Sequence, residues 1–149
     1  MKSVEDLANW FLSKEGMPHK KLQKLCYYAV AWHYTLYDSK LVSNDSFEAW
    51  VHGPVSPDLW HEYKHHGWDM IPKIENAPDF GEDLNDFLEI VYNTYGDFSG
   101  HQLEALTHHE EPWLDARGDL KEYEASNNLI DVEKMKAYYQ SIYDSSQND

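Results

Sequence analysis

The chain has 149 residues and a formal net charge of −15, with twenty-seven carboxylates against twelve lysines and arginines. That length argues for one domain burying about 70% of its unfolded surface, and no apolar run reaches the ~18 residues of a membrane helix. Arg117 is the single arginine, so phosphate neutralisation and forked base reading, on which nucleic-acid binding rests, are both poorly served.

In chain order, Ser3 with Asp6 makes a capping-box variant ahead of the helical stripe Val4, Leu7, Ala8, Phe11 and Leu12. Gly16 stops that helix and Pro18 starts the next. From His19 to Tyr37, the stripe Leu22, Leu25, Cys26, Ala29, Trp32 and Leu36 is flanked by Tyr27, Val30, Tyr34 and Tyr37. An apolar arc this wide marks a central helix rather than a surface one, with Trp32 in the core. The period then changes. Phe47, Ala49 and Val51 alternate with Glu48, Trp50 and His52 as in a half-buried strand. Leu41-Val42 is expected to pair with it, and Gly53-Pro54 to end it.

Ser56-Pro57 caps a helix expected to reach about His66. Residues 67–81, with two prolines and two glycines, read as a loop. Leu84, Phe87, Leu88, Val91 and Tyr95 predict a helix closed by Gly96, and Ser99 with Gln102 a capping box for a helix through Leu106. Pro112-Trp113 reads as a turn. Asp131 caps a last helix built on Val132, Met135, Tyr138 or Tyr139, and Ile142. The pattern predicts a mainly α fold: one compact helical domain over 1–143, a small β-hairpin inserted after the central helix, and a frayed polar tail over 144–149.

Six Trp, eleven Tyr and five Phe make the core aromatic, and Cys26 is the only cysteine. An internal disulfide is excluded, which suits a reducing cytoplasm, and a thiol on an apolar stripe is inert. His61-Glu62-Tyr63-Lys64-His65 is an H-E-x-x-H on a predicted helix, a spacing that puts two imidazoles on one face for zinc with Glu62 activating water. A third ligand would have to come from His66, His108, His109 or Glu110. Nine His and thirteen Glu make so short a motif easy to produce by chance, and Lys64 places a cation inside it. No nucleophile elbow, phosphate-cradling loop or dinucleotide fingerprint is present, so neither an enzyme nor a cofactor is expected.

Four pieces recur in order: Lys21-Leu22-Gln23-Lys24-Leu25 with Tyr28 and Trp32, Glu48-Ala49-Trp50…Gly53-Pro54-Val55, Thr107-His108, and Pro112-Trp113. Over roughly residues 4–118 the chain resembles the SocA-like Panacea antitoxin domain. The resemblance implies an intracellular protein that neutralises a cognate toxin by binding it directly, or that presents the toxin to an ATP-dependent protease. Lys21, Gln23, Lys24, Tyr28, Trp32, Gly53, Pro54 and Thr107 are expected to be structural. Glu48, Trp50, His52, Tyr63, His108 and Trp113 are candidates for partner contact, since aromatics concentrate at hot spots. The acidic charge suits a basic toxin steered to its partner, with no direct nucleic-acid or membrane contact. A zinc hydrolase on His61, Glu62 and His65, and an acidic DNA mimic, are the alternatives.

Overall fold

A computed structural model describes residues 1–148. Seven helices lie among the described residues: α1 (Val4–Leu12), α2 (His19–Tyr37), α3 (Pro57–Tyr63), α4 (Glu82–Tyr95), α5 (Gly100–Thr107), α6 (Glu111–Arg117) and α7 (Val132–Gln147). Four short strands, β1 (Met17–Pro18), β2 (Glu48–Trp50), β3 (Gly53–Val55) and β4 (Met70–Ile71), make two antiparallel pairs, β1 with β4 and β2 with β3. The expectation of a mainly α fold with a hairpin after the central helix holds. No helix among the described residues is long and apolar enough to cross a membrane.

The start signals work as expected. Ser3 and Ser99 form complete capping boxes, and Ser56 and Asp131 accept from backbone N–H groups at the heads of α3 and α7. The hub is α2, whose side chains from Lys21 to Ala31 are all buried and which packs against α1, α4, α5, α7 and the hairpin. Two close approaches set its surroundings. Gly100 opens α5 against the start of α2, where a Cβ would lie 3.1 Å from the Lys21 backbone nitrogen. The Lys21 ammonium donates to the Gly96 carbonyl at 2.6 Å and pairs with Glu15 at 2.8 Å, holding the end of α4 on α2.

Below the aromatic core, Glu110 (4% exposed) is enclosed by tyrosines. Its Oε1 accepts from Tyr28 and Tyr139, each at 2.8 Å, and the Tyr139 and Tyr27 hydroxyl oxygens lie 3.2 Å apart, where Tyr139 is left to accept. Tyr28 stacks on Tyr95 at 4.0 Å. Burial pushes the Glu110 carboxyl up to about 7 against the pull of the two tyrosine hydroxyls. Cys26 is fully buried and burial raises its thiol.

Several elements depart from expectation. Strand β2 pairs with β3, not with Leu41-Val42. The register Glu48↔Val55, Ala49↔Pro54, Trp50↔Gly53 leaves Val51-His52 as a two-residue turn. The other edge of β2 is taken by residues 128–130: Ala49 N–H donates to the Asn128 carbonyl and Ile130 N–H to that of Phe47. Leu41 and Val42 are buried core contacts instead. Within 67–81, β4 folds back onto β1, and Pro112 opens α6 rather than a turn, a position where its missing N–H has no consequence. α7 runs on through Gln147, so the residues expected as a tail from Asp144 are helical that far; Asp149 lies outside the described residues. Trp32 is half-buried at the core's edge, its indole N–H donating to the Tyr95 hydroxyl at 2.8 Å.

Candidate functional site

The hairpin is braced from beneath by side chains of α2, α5 and α6. Gln23 clasps Ser56, accepting from its N–H at 2.8 Å and donating to its carbonyl at 3.2 Å. Trp113 donates its indole N–H to the Trp50 carbonyl at 2.9 Å, and Arg117 donates to the Ala49 carbonyl at 3.0 Å. His108 stacks on Trp113 at 4.1 Å and 14°, and Arg117 lies 4.9 Å from the same ring. Lys24 runs under Gly53. That glycine has φ +113°, and a Cβ on it would fall 2.7 Å from Lys24 Cε and 3.0 Å from Thr107 Oγ1. Only glycine combines that backbone angle with that clearance.

The six predicted partner-contact residues therefore divide. Glu48, Trp50 and His52 stand on the outer side of the hairpin, Trp50 donating its indole N–H to Glu48 at 2.8 Å and His52 meeting Glu104 at 3.2 Å. Trp113 and Tyr63 are 3% and 8% exposed; Trp113 supports that surface from beneath, while the Tyr63 hydroxyl reaches Asn9 on α1. The rings of Tyr63 and His19 lie 5.9 Å apart. His108 lies half-buried, its Nε2 without a hydrogen-bond partner among the described residues. The predicted structural residues Lys21, Gln23, Lys24, Tyr28, Gly53, Pro54 and Thr107 are all buried.

Beside the outer face of the hairpin opens a cavity of about 340 Å³. Trp50, Trp60 and Trp68 wall it, with His19, Lys20, Lys24, His52 and Lys64 among its other lining residues. The Trp50 and Trp60 rings lie 5.6 Å apart. Lys64 Nζ sits 4.8 Å over Trp60 and Lys20 Nζ 5.6 Å over Trp68. Burial lowers His19 to about 4, with Lys24 and His66 adding repulsion, so its ring is neutral and faces Gln23 Nε2 at 3.0 Å. Although burial pushes Glu104 upward, donation from Lys20 and His52 holds it below the usual carboxylate range. Sequence reasoning missed Lys20, Trp60 and Trp68 as site residues. The one signal for the tryptophans was the succession Trp50, Trp60 and Trp68 around the predicted helix start at Ser56, and Lys20 had none.

A second surface is apolar. Trp32, Leu36 and Tyr37 of α2, Ile90 and Val91 of α4, and Ile142 and Tyr143 of α7 line a groove of about 470 Å³. Five of these side chains are between 39% and 64% exposed, more clustered apolar surface than scattered exposure produces.

The H-E-x-x-H segment is not one continuous α-helix. α3 ends at Tyr63 and Lys64–His66 continue as a 3₁₀ turn, so His61 and His65 do not share a continuous α-helical face. His61, Glu62 and His65 are exposed, and no group of three His, Cys, Asp or Glu side chains among the described residues is placed to hold a metal ion. Glu110, one conceivable third ligand, sits in its tyrosine enclosure.

A family model described as antitoxin SocA-like, Panacea domain, matches residues 22–114, from the first turn of α2 into α6. No curated protein and no solved structure matches the chain.

Proposed function

We propose, from the premise that this chain belongs to the SocA-like Panacea antitoxin family, that it neutralises a cognate toxin by forming a protein–protein complex. The docking edge in this reading is the outer face of the hairpin, carried by Glu48, Trp50 and His52. The observation behind it is the bracing: a partly exposed tryptophan on a turn whose backbone is tied down by Gln23, Trp113 and Arg117. A rigid aromatic anchor loses little conformational freedom on binding. The hairpin also lies wholly within the matched segment, whereas the apolar groove takes one wall from α7, beyond it. The net charge favours a basic toxin, and delivery of the toxin to an ATP-dependent protease is a variant of the same binding step.

The test is co-expression with the product of the neighbouring gene, followed by affinity measurement with Trp50→Ala. Growth rescue, co-purification and a loss of about 2 kcal/mol or more in affinity, with folding intact, are expected of a hot spot. A neighbour that is harmless alone and does not co-purify would end the antitoxin reading. Unchanged affinity in Trp50→Ala, with loss in Ile90→Asp, would move the docking surface to the groove.

A further inference from the structure

We propose that the cavity walled by Trp50, Trp60 and Trp68 is a binding site for a small aromatic anion, with its acidic group against Lys24 and Lys20 and its ring against the indoles. Lys24 is the starting point. It lines the cavity while being only 1% exposed, and among the described residues its ammonium has no hydrogen-bond or ion-pair partner. An amine so far withdrawn from water, with no carboxylate bonded to it, is costly to keep as the ammonium and gives up its proton more readily than a surface lysine. A chain with twenty-seven carboxylates has not supplied one here. Glu104, whose charge acts on Lys24, is bonded to Lys20 and His52. Gly53 keeps the space that Lys24 occupies, since a Cβ would lie 3.2 Å from its Nζ as well as against Cε.

The rest of the site matches a ligand with both a charge and a flat body. Lys20, Lys24 and Lys64 converge on one opening in a protein of net charge −15, and two carboxylates bond to its lining, Glu104 to Lys20 and His52 and Glu48 to the Trp50 indole N–H. Inorganic anions need no aromatic walls, and a metal ion would be repelled by three lysines. Indole faces with cations above them suit a planar ring, which stacks without regard to its detailed pattern of donors. Trp68 is 79% exposed, leaving a large ring uncovered at the mouth. The volume falls at the small end of ligand pockets, about 300–1,000 Å³. Burial brings the Lys24 amine down to about 7, Glu104 pulling it up and Lys20 down. An anion arriving at Nζ would restore its charge.

The full chain, without any partner, is titrated with AMP and with indole-3-carboxylate, following tryptophan fluorescence and heat, with adenosine and inorganic phosphate as the separated halves. Saturable binding of either ring-bearing anion tighter than about 1 mM, with both halves at least about tenfold weaker, is expected. AMP alone binding identifies a phosphate head group, and indole-3-carboxylate alone a carboxylate. Lys24→Met should weaken binding at least about tenfold while melting at the wild-type temperature or above. Trp68→Ala, at an exposed position, should weaken it about threefold or more with no change in melting. Failure of both ring-bearing anions to bind, adenosine binding as tightly as AMP, or Lys24→Met retaining full affinity would each overturn the site. If Lys24→Met does not fold, Trp68→Ala decides, and unchanged affinity there overturns it. None of these outcomes depends on a toxin, so the site and the antitoxin reading stand or fall separately.

Discussion

Replacing Glu110 by glutamine should stabilise the protein at alkaline pH, by an amount that vanishes on acidification. Glu110 is 4% exposed and accepts both of its tyrosine hydrogen bonds on a single oxygen, Oε1. Glutamine keeps that acceptor and carries no charge. Burial raises the carboxyl from 4.5 to about 7. Between those values the folded protein retains a proton that the unfolded chain has released. Stability therefore falls as pH rises through that window, and above it the native state holds a buried carboxylate at full penalty. A gap of roughly 2.5 units at 1.36 kcal/mol each is about 3 kcal/mol. In urea unfolding at pH 5, 6, 7 and 8, Glu110→Gln should gain about 3 kcal/mol at pH 8 and less than about 1 kcal/mol at pH 5, with the urea dependence unchanged. The difference between the two proteins cancels the titration of every other group. A mutant less stable than wild type at pH 8, or a difference flat across the range, would refute a strained carboxylate and make Glu110 an ordinary ionised member of the network.

Gly53→Ala should cost about 2–4 kcal/mol, from the φ of +113° and the clash with Lys24 Cε; thermal melting within a degree of wild type would show that the turn relaxes freely. Trp32→Ala should cost about 2 kcal/mol, below the 3–5 of a fully buried ring, because the indole is half-exposed and loses chiefly its bond to Tyr95 and its contact with Tyr139. A loss above about 4 in urea unfolding would return Trp32 to the core. The double substitution His61→Ala with His65→Ala should leave metal content, melting and toxin neutralisation unchanged, since both side chains are exposed. Stoichiometric zinc that disappears in the double mutant would favour the hydrolase.

Helix starts were legible because their chemistry is local: a serine oxygen and a Glu, Gln or Asp three residues on suffice to mark Ser3 and Ser99. The central helix was legible from the width of its apolar arc. What failed was pairing and period over short spans. Pro54 argues against a strand because it cannot donate to a ladder, yet β3 lies at the sheet edge where no donor is needed. Pro112 carries the helix-start signal that Pro57 carries, but no capping serine precedes it as Ser56 precedes Pro57, and Glu110 makes no cap hydrogen bond. Trp32 shares a stripe with Leu25 and Ala29, and periodicity does not say where a helix leaves the core. The cavity was illegible for a different reason. Lys20, Lys24, Trp60 and Trp68 converge only through the hairpin and the fold-back of β4 onto β1, long-range contacts with no periodic trace.

The pieces of sequence that carry the family match turn out to serve one object. Gln23 holds Ser56 at the end of the hairpin, and Lys24 fills the space beneath Gly53. Thr107 abuts that same glycine, His108 stacks on Trp113, and Trp113 donates to the Trp50 carbonyl. Lys21 fastens the α4–α5 corner from which Thr107 and His108 are presented. Residues from 21 to 113 thus fix the backbone of an eight-residue ribbon too small to hold its own shape, since an isolated two-stranded hairpin is marginal in water. Lys21, Lys24 and Arg117, three of the twelve basic side chains, are buried in this way. Their removal from the surface leaves the exterior more acidic than the count of charges suggests, while Lys20 and Lys64 stay at the mouth of the cavity. A rigid hairpin edge, an acidic exterior and a basic aromatic cavity beside it are consequences of the same bracing.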